Sequence, residues 1–304
     1  EYTNSGWSQL GSDIDGEAAD DQSGSAVSMS ADGARVAIGA PFNDGNDNIE
    51  SGHVRVYEYG SIWTQLGSNI DGEASLDNSG HSVSLSADGR RVAIGAMKNA
   101  FDPDMKHTGH VRVYEYPLTG GEWKQIGSDI DGDAEFDMIG SSVSMSDDGT
   151  IVAVGAPGLR DHGHSTGTTK VFEYNSPDNV WTQVGSPIAG EAIDDQSGYS
   201  VSISADGEKV ACGAILNEHN GSHSGHVAVY EDGNTTPTTS PVPTYSPSVE
   251  PSYMPTWTLK PTQSESIGWW HLGSDIDGEA VGDESGSAVS MSSDGTTVAV
   301  GDPG

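Results

Sequence analysis

Carboxylates stand at fixed, recurring places in this chain. Asp13, Asp15 and Glu17 alternate with Ile14 and Gly16, and the arrangement returns as Asp71 and Glu73, as Asp129, Asp131 and Asp133, and as Asp275, Asp277 and Glu279. Alternating carboxylates beside glycine can wrap oxygen ligands around a hard cation, and Ca²⁺ is the cofactor this pattern suggests. The spacing is not that of an EF-hand loop. The fourth copy also carries Pro187 and Ala189 where the leading acids stand elsewhere. In the competing reading the same side chains cap turn amides around a rim. Both readings are open at this point.

Other chemistry finds less support. His162 and His164 lie close together, and His219, His223 and His226 share one stretch. However, His53, His110 and His226 keep one place in the repeat, which marks packing rather than ligation. No serine sits in a nucleophile elbow, and no glycine-rich phosphate loop precedes a helix. Paired carboxylates recur once per unit, whereas an active site is usually unique. The chain is therefore expected not to be an enzyme. Trp7, Trp63, Trp123 and Trp181 also hold one register and are expected to pack, leaving Trp257 and Trp270 as aromatic side chains open to a glycan or another subunit.

The elements that position these residues come from a repeat. The phrase from Trp7 to Ala18 returns from Trp63, Trp123, Trp181 and Trp269, so five copies of a unit of roughly 60 residues are present. Each unit predicts four strands. In the second they are His81–Ser86, with period-2 alternation; Arg91–Ala96, after the turn signal Asp88-Gly89; His110–Tyr116; and Glu122–Gly127. Alanine and glycine on one face of Arg91–Ala96 would let a neighbouring sheet approach closely. No segment has sustained helical periodicity. A lone four-stranded sheet with two apolar faces must lean on copies of itself, so the expected fold is an all-β propeller of antiparallel blades.

The segments Gly80-His81-Ser82-Val83-Ser84, Val92-Ala93-Ile94-Gly95-Ala96 and Gly109-His110-Val111-Arg112-Val113-Tyr114 resemble the FG-GAP repeat of integrin α-chain propellers. They are closer to the variant in bacterial and algal surface proteins. The resemblance covers residues 5–232 and 267–304 and implies a calcium-associated adhesive propeller. Two features depart from it. Ser79-Gly80 and its equivalents replace Phe-Gly, and the integrin calcium loop is reduced to Asp88-Gly89 and its equivalents.

The Val-Tyr-Glu-Tyr strand has fewer copies than the Trp strand. Glu1-Tyr2 look like the tail of one, and Val298–Gly301 look like a second strand without its third. Five blades are therefore expected, one of them a composite in which N- and C-terminal segments meet, within one chain or between chains. Residues 1–232 form the blades, 233–266 a linker, and 267–304 a partial repeat completing a blade.

The linker is rich in proline, threonine and serine and favours extended conformations. Its composition resembles stalks of algal cell-surface proteins. Asn220 and Asn234 stand in N-glycosylation sequons. Thr235, Thr236, Thr238, Thr239, Ser240, Thr244, Ser246, Ser248, Ser252 and Thr256 are candidates for O-linked sugar. With net charge −34, the protein would repel nucleic acid and anionic membranes. No apolar run is long enough for a membrane span. A single cysteine, Cys212, offers no disulfide framework. Together these lead to the expectation of an extracellular or cell-surface structural or adhesive protein. Its partners would be other copies of itself through residues 233–304, or glycans and surface proteins. A ligand-binding module, or the accessory propeller of a larger enzyme, is the alternative.

Overall fold

A computed structural model describes residues 2–3, 6–45, 48–99, 107–158, 166–233 and 268–303. Within them the protein is all-β, and four sheets share one plan. In the first blade the strands Ala26–Met29, Arg35–Ala40, His53–Tyr59 and Trp63–Gln65 pair antiparallel in sequence order. The short strand Ile70–Asp71 pairs with the other end of His53–Tyr59. The second blade repeats this with Ser82–Leu85, Arg91–Ala96, His110–Glu115 and Lys124–Gln125, and with Ile130–Asp131 as the added pair. The third uses Ser142–Met145, Ile151–Ala156, Thr168–Asn175, Val180–Gln183 and Ile188–Ala189. The fourth uses Ser197–Ile203, Lys209–Ala214, His226–Asp232, Trp269–His271 and Ile276–Asp277. This is propeller architecture.

The fourth blade recruits its Trp strand from beyond the linker. Trp269 pairs with Asp232, and His271 with Tyr230, within the same chain. The strand after residue 267 thus completes the blade that precedes the insertion.

The hairpin turns explain why the first two strands form. In the second blade Ser86 Oγ donates to Asp88 Oδ1 at 2.7 Å, and Arg90 N donates to the same oxygen at 2.9 Å. Ser30 with Asp32, Ser146 with Asp148 and Ser204 with Asp206 repeat it. Gly89 supplies the positive φ (64°) that such a turn needs.

The apolar core lies between blades, not within them. Ala37, Val54, Val56 and Ile70 of the first blade pack on Val83, Leu85, Val92 and Ile94 of the second. The next two seams repeat that arrangement around Val113 and Met145, and around Val171 and Val201. Small residues permit the close approach: a Cβ added at Gly95 would collide with the Gly140 carbonyl of the following blade. Polar latches bracket each seam. Leu85 N donates to Ser28 Oγ (2.9 Å), Met145 N to Ser84 Oγ (3.0 Å), Ile203 N to Ser144 Oγ (3.0 Å) and Met291 N to Ser202 Oγ (2.9 Å).

Two fragments flank the four blades. Tyr2–Thr3 pairs with Gly6–Trp7, and Ala288–Met291 with Val298–Gly301. A composite blade of N- and C-terminal segments, within one chain or between chains, is expected to join them; among the described residues of this chain they are separate two-stranded sheets. Among the described residues, no helix is long and apolar enough to cross a membrane.

Candidate functional site

The third strand of each blade carries a residue pair at its start that faces the acidic phrase: His53 and Arg55, His110 and Arg112, Thr168 and Lys170, His226 and Ala228. Side chains two apart share a face. Onto this face come an acid from the preceding phrase and the leading residue of the following one. The acids of one phrase are thereby divided between two seams.

In the second blade Glu73 reaches Arg112 from before, and Asp129 from after. Arg112 Nε and Nη2 donate to Asp129 at 3.1 and 2.9 Å. Burial alone would lower the guanidinium pKa, but its hydrogen bonds to Asp129 and Glu73 outweigh that and hold it above the ordinary value. Burial pulls the Asp129 carboxyl upward, yet Arg112 and Gln125 together keep it low. Asp131, opposite His110, is raised by burial and by the Asp129 charge. His110 is held below the usual histidine range by burial and by Arg112.

The first blade is a weaker version. Glu17 lies 3.8 Å from His53 Nδ1 and 3.7 Å from Arg55 Nη1, and Asn69 replaces the second acid. Arg55 also donates to the Asp15 carbonyl at 2.8 Å. Asp71 stands opposite His53. In the third blade Lys170 Nζ lies 2.5 Å from Asp133. In the fourth, ligand atoms of Glu191, His226 and Asp275 fall within 4.8 Å of one another, with Asp277 opposite His226. Asp13 is exposed and accepts from Gln9 at 2.8 Å, and Glu279 is exposed.

A different acid caps the turns. Asp77 Oδ2 accepts from Ala74 N at 2.8 Å, and Asp21, Asp137, Asp195 and Asp283 do the same three residues back. Turn capping therefore falls on one set of carboxylates, and the acids that face the third-strand residues are another. Sequence reasoning overlooked the cations Arg55, Arg112 and Lys170. It also set His226 aside as packing. Aligning the third strands shows the signal, a basic residue replaced once by alanine.

A second feature is a cleft of about 280 Å³ lined by His81, Met97, Met138, Ser141, Pro157 and Tyr199 among others. The repeat varies here: Ser25, His81, Ser141 and Tyr199 occupy one equivalent position. Burial lowers the His81 pKa, with Lys98 adding to it. Cys212 is buried, and burial pushes its thiol up to about 12. Of the glycosylation candidates, Asn220 is exposed in a turn and donates to the Gly278 carbonyl at 3.2 Å. Asn234 and the threonines and serines from Thr235 to Thr256 lie outside the described residues, as do His162, His164 and Trp257.

No family model matches the chain, and no curated protein matches it in sequence. Among solved structures it is similar to a periplasmic gluconolactonase of Pseudomonas aeruginosa, at 14% identity and a TM-score of 0.48, over 91% of this chain and 64% of that one. It is also similar to a Bacteroides uniformis protein assigned as a 6-phosphogluconolactonase, at 10% identity and a TM-score of 0.45, over 91% of this chain and 77% of that one. Kuenenia stuttgartiensis hydrazine synthase follows at 13% identity and 0.41, over 68% of this chain and 50% of that one. The chain thus spans less than two thirds of the first and third of these. The likeness is one of fold, and it corrects one expectation. Proteins named as lactonases share this layout, so the recurrence of blades does not exclude an enzyme, and the reading of the chain as a non-enzyme is withdrawn.

Proposed function

We propose that this protein is an extracellular structural or adhesive subunit whose propeller array joins further copies end to end. One observation carries this reading: the first and last described blade faces are open and complementary. Val27 and Met29, on the inner strand of the first blade, are 63% and 59% exposed, whereas their equivalents Val83 and Leu85 are 9% and 7% exposed. At the far end Ala299 is exposed, although Ala37, Ala93, Ala153 and Ala211 are fully buried by the next blade.

The seams within the chain are the template for the contact. Met29 corresponds to Leu85, whose amide bonds Ser28, and Ser290 corresponds to Ser28. The occupant of the open first face is therefore the Ala288–Gly301 hairpin of a second copy. Burying side chains of this size contributes about 1.5–3 kcal/mol each. Such a head-to-tail contact propagates unless its rotation closes a ring. The resemblance to FG-GAP surface proteins, the sequon at Asn220 and the proline-rich linker support an extracellular setting.

Hydrogen exchange at the Met29 amide tests this. Protection should rise with protein concentration and vanish on dilution. Protection that is independent of concentration would assign the face to another part of the same protein and contradict the reading.

A second reading, recognition of a small molecule or glycan, is favoured by the cleft at His81 and Tyr199, where blades differ. Loss of ligand on Tyr199→Ala, with an unchanged sedimentation pattern, would support it.

A further inference from the structure

The four seam sites differ in one respect that the repeat itself exposes. Three contain a cation belonging to the chain: Arg55 beside Glu17, Arg112 between Glu73 and Asp129, and Lys170 beside Asp133. The fourth has Ala228 at that position, and Ala228 is buried. Yet the fourth keeps a full acidic set, with Glu191 from the preceding phrase and Asp275 and Asp277 from the following one.

The polar atoms there are also left without partners. His226 is 3% exposed, and its Nδ1 is buried with no hydrogen bond. Asp277 Oδ1 is likewise buried and unbonded. A buried imidazole nitrogen and a buried carboxylate oxygen without partners are costly to maintain. His271, outside the set, has Nε2 3.0 Å from Asp275 Oδ1 and leaves Asp277 Oδ1 and His226 Nδ1 unserved.

We propose that the Glu191, His226 and Asp275 cluster binds a divalent transition ion of the zinc class, taking the place of the guanidinium that fills the equivalent site of the second blade. The donor chemistry sets the class. Ca²⁺ takes oxygen ligands, whereas an imidazole nitrogen combined with carboxylates suits Zn²⁺ and its neighbours. Zinc holds imidazole nitrogen and carboxylate oxygen at about 2.0–2.2 Å. The donors of Glu191, His226 and Asp275, within 4.8 Å of one another, therefore need only small side-chain adjustments to share one ion. The bound ion would also bridge the phrase at Glu191 to that at Asp275, clamping the seam as Arg112 does in the second blade.

The test is titration of the EDTA-treated chain with Zn²⁺ by calorimetry, and with Co²⁺ by visible absorption, where a histidine–carboxylate site gives a d–d spectrum. One saturable equivalent is expected, with a rise in melting temperature. Ala228→Arg should abolish it by supplying the missing cation, and His226→Gln should abolish it while leaving the strand intact. Arg112→Ala should create a second equivalent at Glu73, His110 and Asp129. Absence of saturable binding to the unaltered chain would overturn the proposal, and so would binding that survives His226→Gln. Should Ala228→Arg fail to fold, His226→Gln and Arg112→Ala decide the matter.

Discussion

The indole Nε1 of Trp123 donates to the Leu66 carbonyl at 2.8 Å, across the seam between the first and second blades. The same bond joins Trp63 to Leu10 (2.9 Å), Trp181 to Ile126 (2.9 Å) and Trp269 to Val184 (3.1 Å). Each tryptophan thus serves the blade before its own. Trp123→Phe keeps the ring and removes only this bond, so it should cost about 1 kcal/mol. Trp123→Ala should cost about 3–5 kcal/mol through the cavity it leaves. Urea unfolding of the two variants separates packing from latch.

Gly95 and Gly301 occupy equivalent places, but only Gly95 faces a following blade. Gly95→Ala forces a methyl against the Gly140 carbonyl and should destabilise by about 1–3 kcal/mol. At Gly301 a Cβ would meet only Ala288 of its own hairpin, at 3.2 Å. Gly301→Ala should therefore leave the melting temperature of the dilute protein almost unchanged. In the assembled state the same methyl should block the incoming blade, which light scattering will detect.

Acid should loosen the seams before it titrates the turns. His53 and His110 are lowered below the usual histidine value, mainly by burial. The unfolded chain therefore binds more protons than the folded one just below pH ~6.5, and stability falls as the pH drops through that range. Asp32, Asp148, Asp206 and Asp294 are lowered in the folded chain, Asp294 to about 2. Their contribution is present above pH ~4 and is lost below it. Melting curves from pH 8 to 3 should show both phases, and a His53→Gln, His81→Gln, His110→Gln variant should lose the first.

Cys212 lies inside the third seam among Val201, Ile203 and Val210. A buried thiol raised to about 12 should resist iodoacetamide at neutral pH. Labelling should proceed only at the rate of unfolding, as mass spectrometry at increasing urea will show.

Strand order within a blade was legible because the signals are local. Alternation in Ser82–Leu85, the turn at Asp88-Gly89 and the small residues of Arg91–Ala96 each act within a few residues. Even the close approach of blades could be read from Gly95. The seam sites were not legible as sites. Their acids come from phrases separated by a whole blade, so Asp129 and Asp133, neighbours in sequence, serve Arg112 and Lys170 in different seams. Counting strands shows which partners a partial blade lacks, but not whether they come from the same chain or from another.

Sedimentation velocity over a hundredfold range of concentration bears most directly on the proposed assembly. The sedimentation coefficient of the unaltered protein should climb with concentration, and that of Met29→Asp, which places a charge on the open face, should stay at the monomer value. A single monomeric boundary for the unaltered protein at every concentration would contradict it.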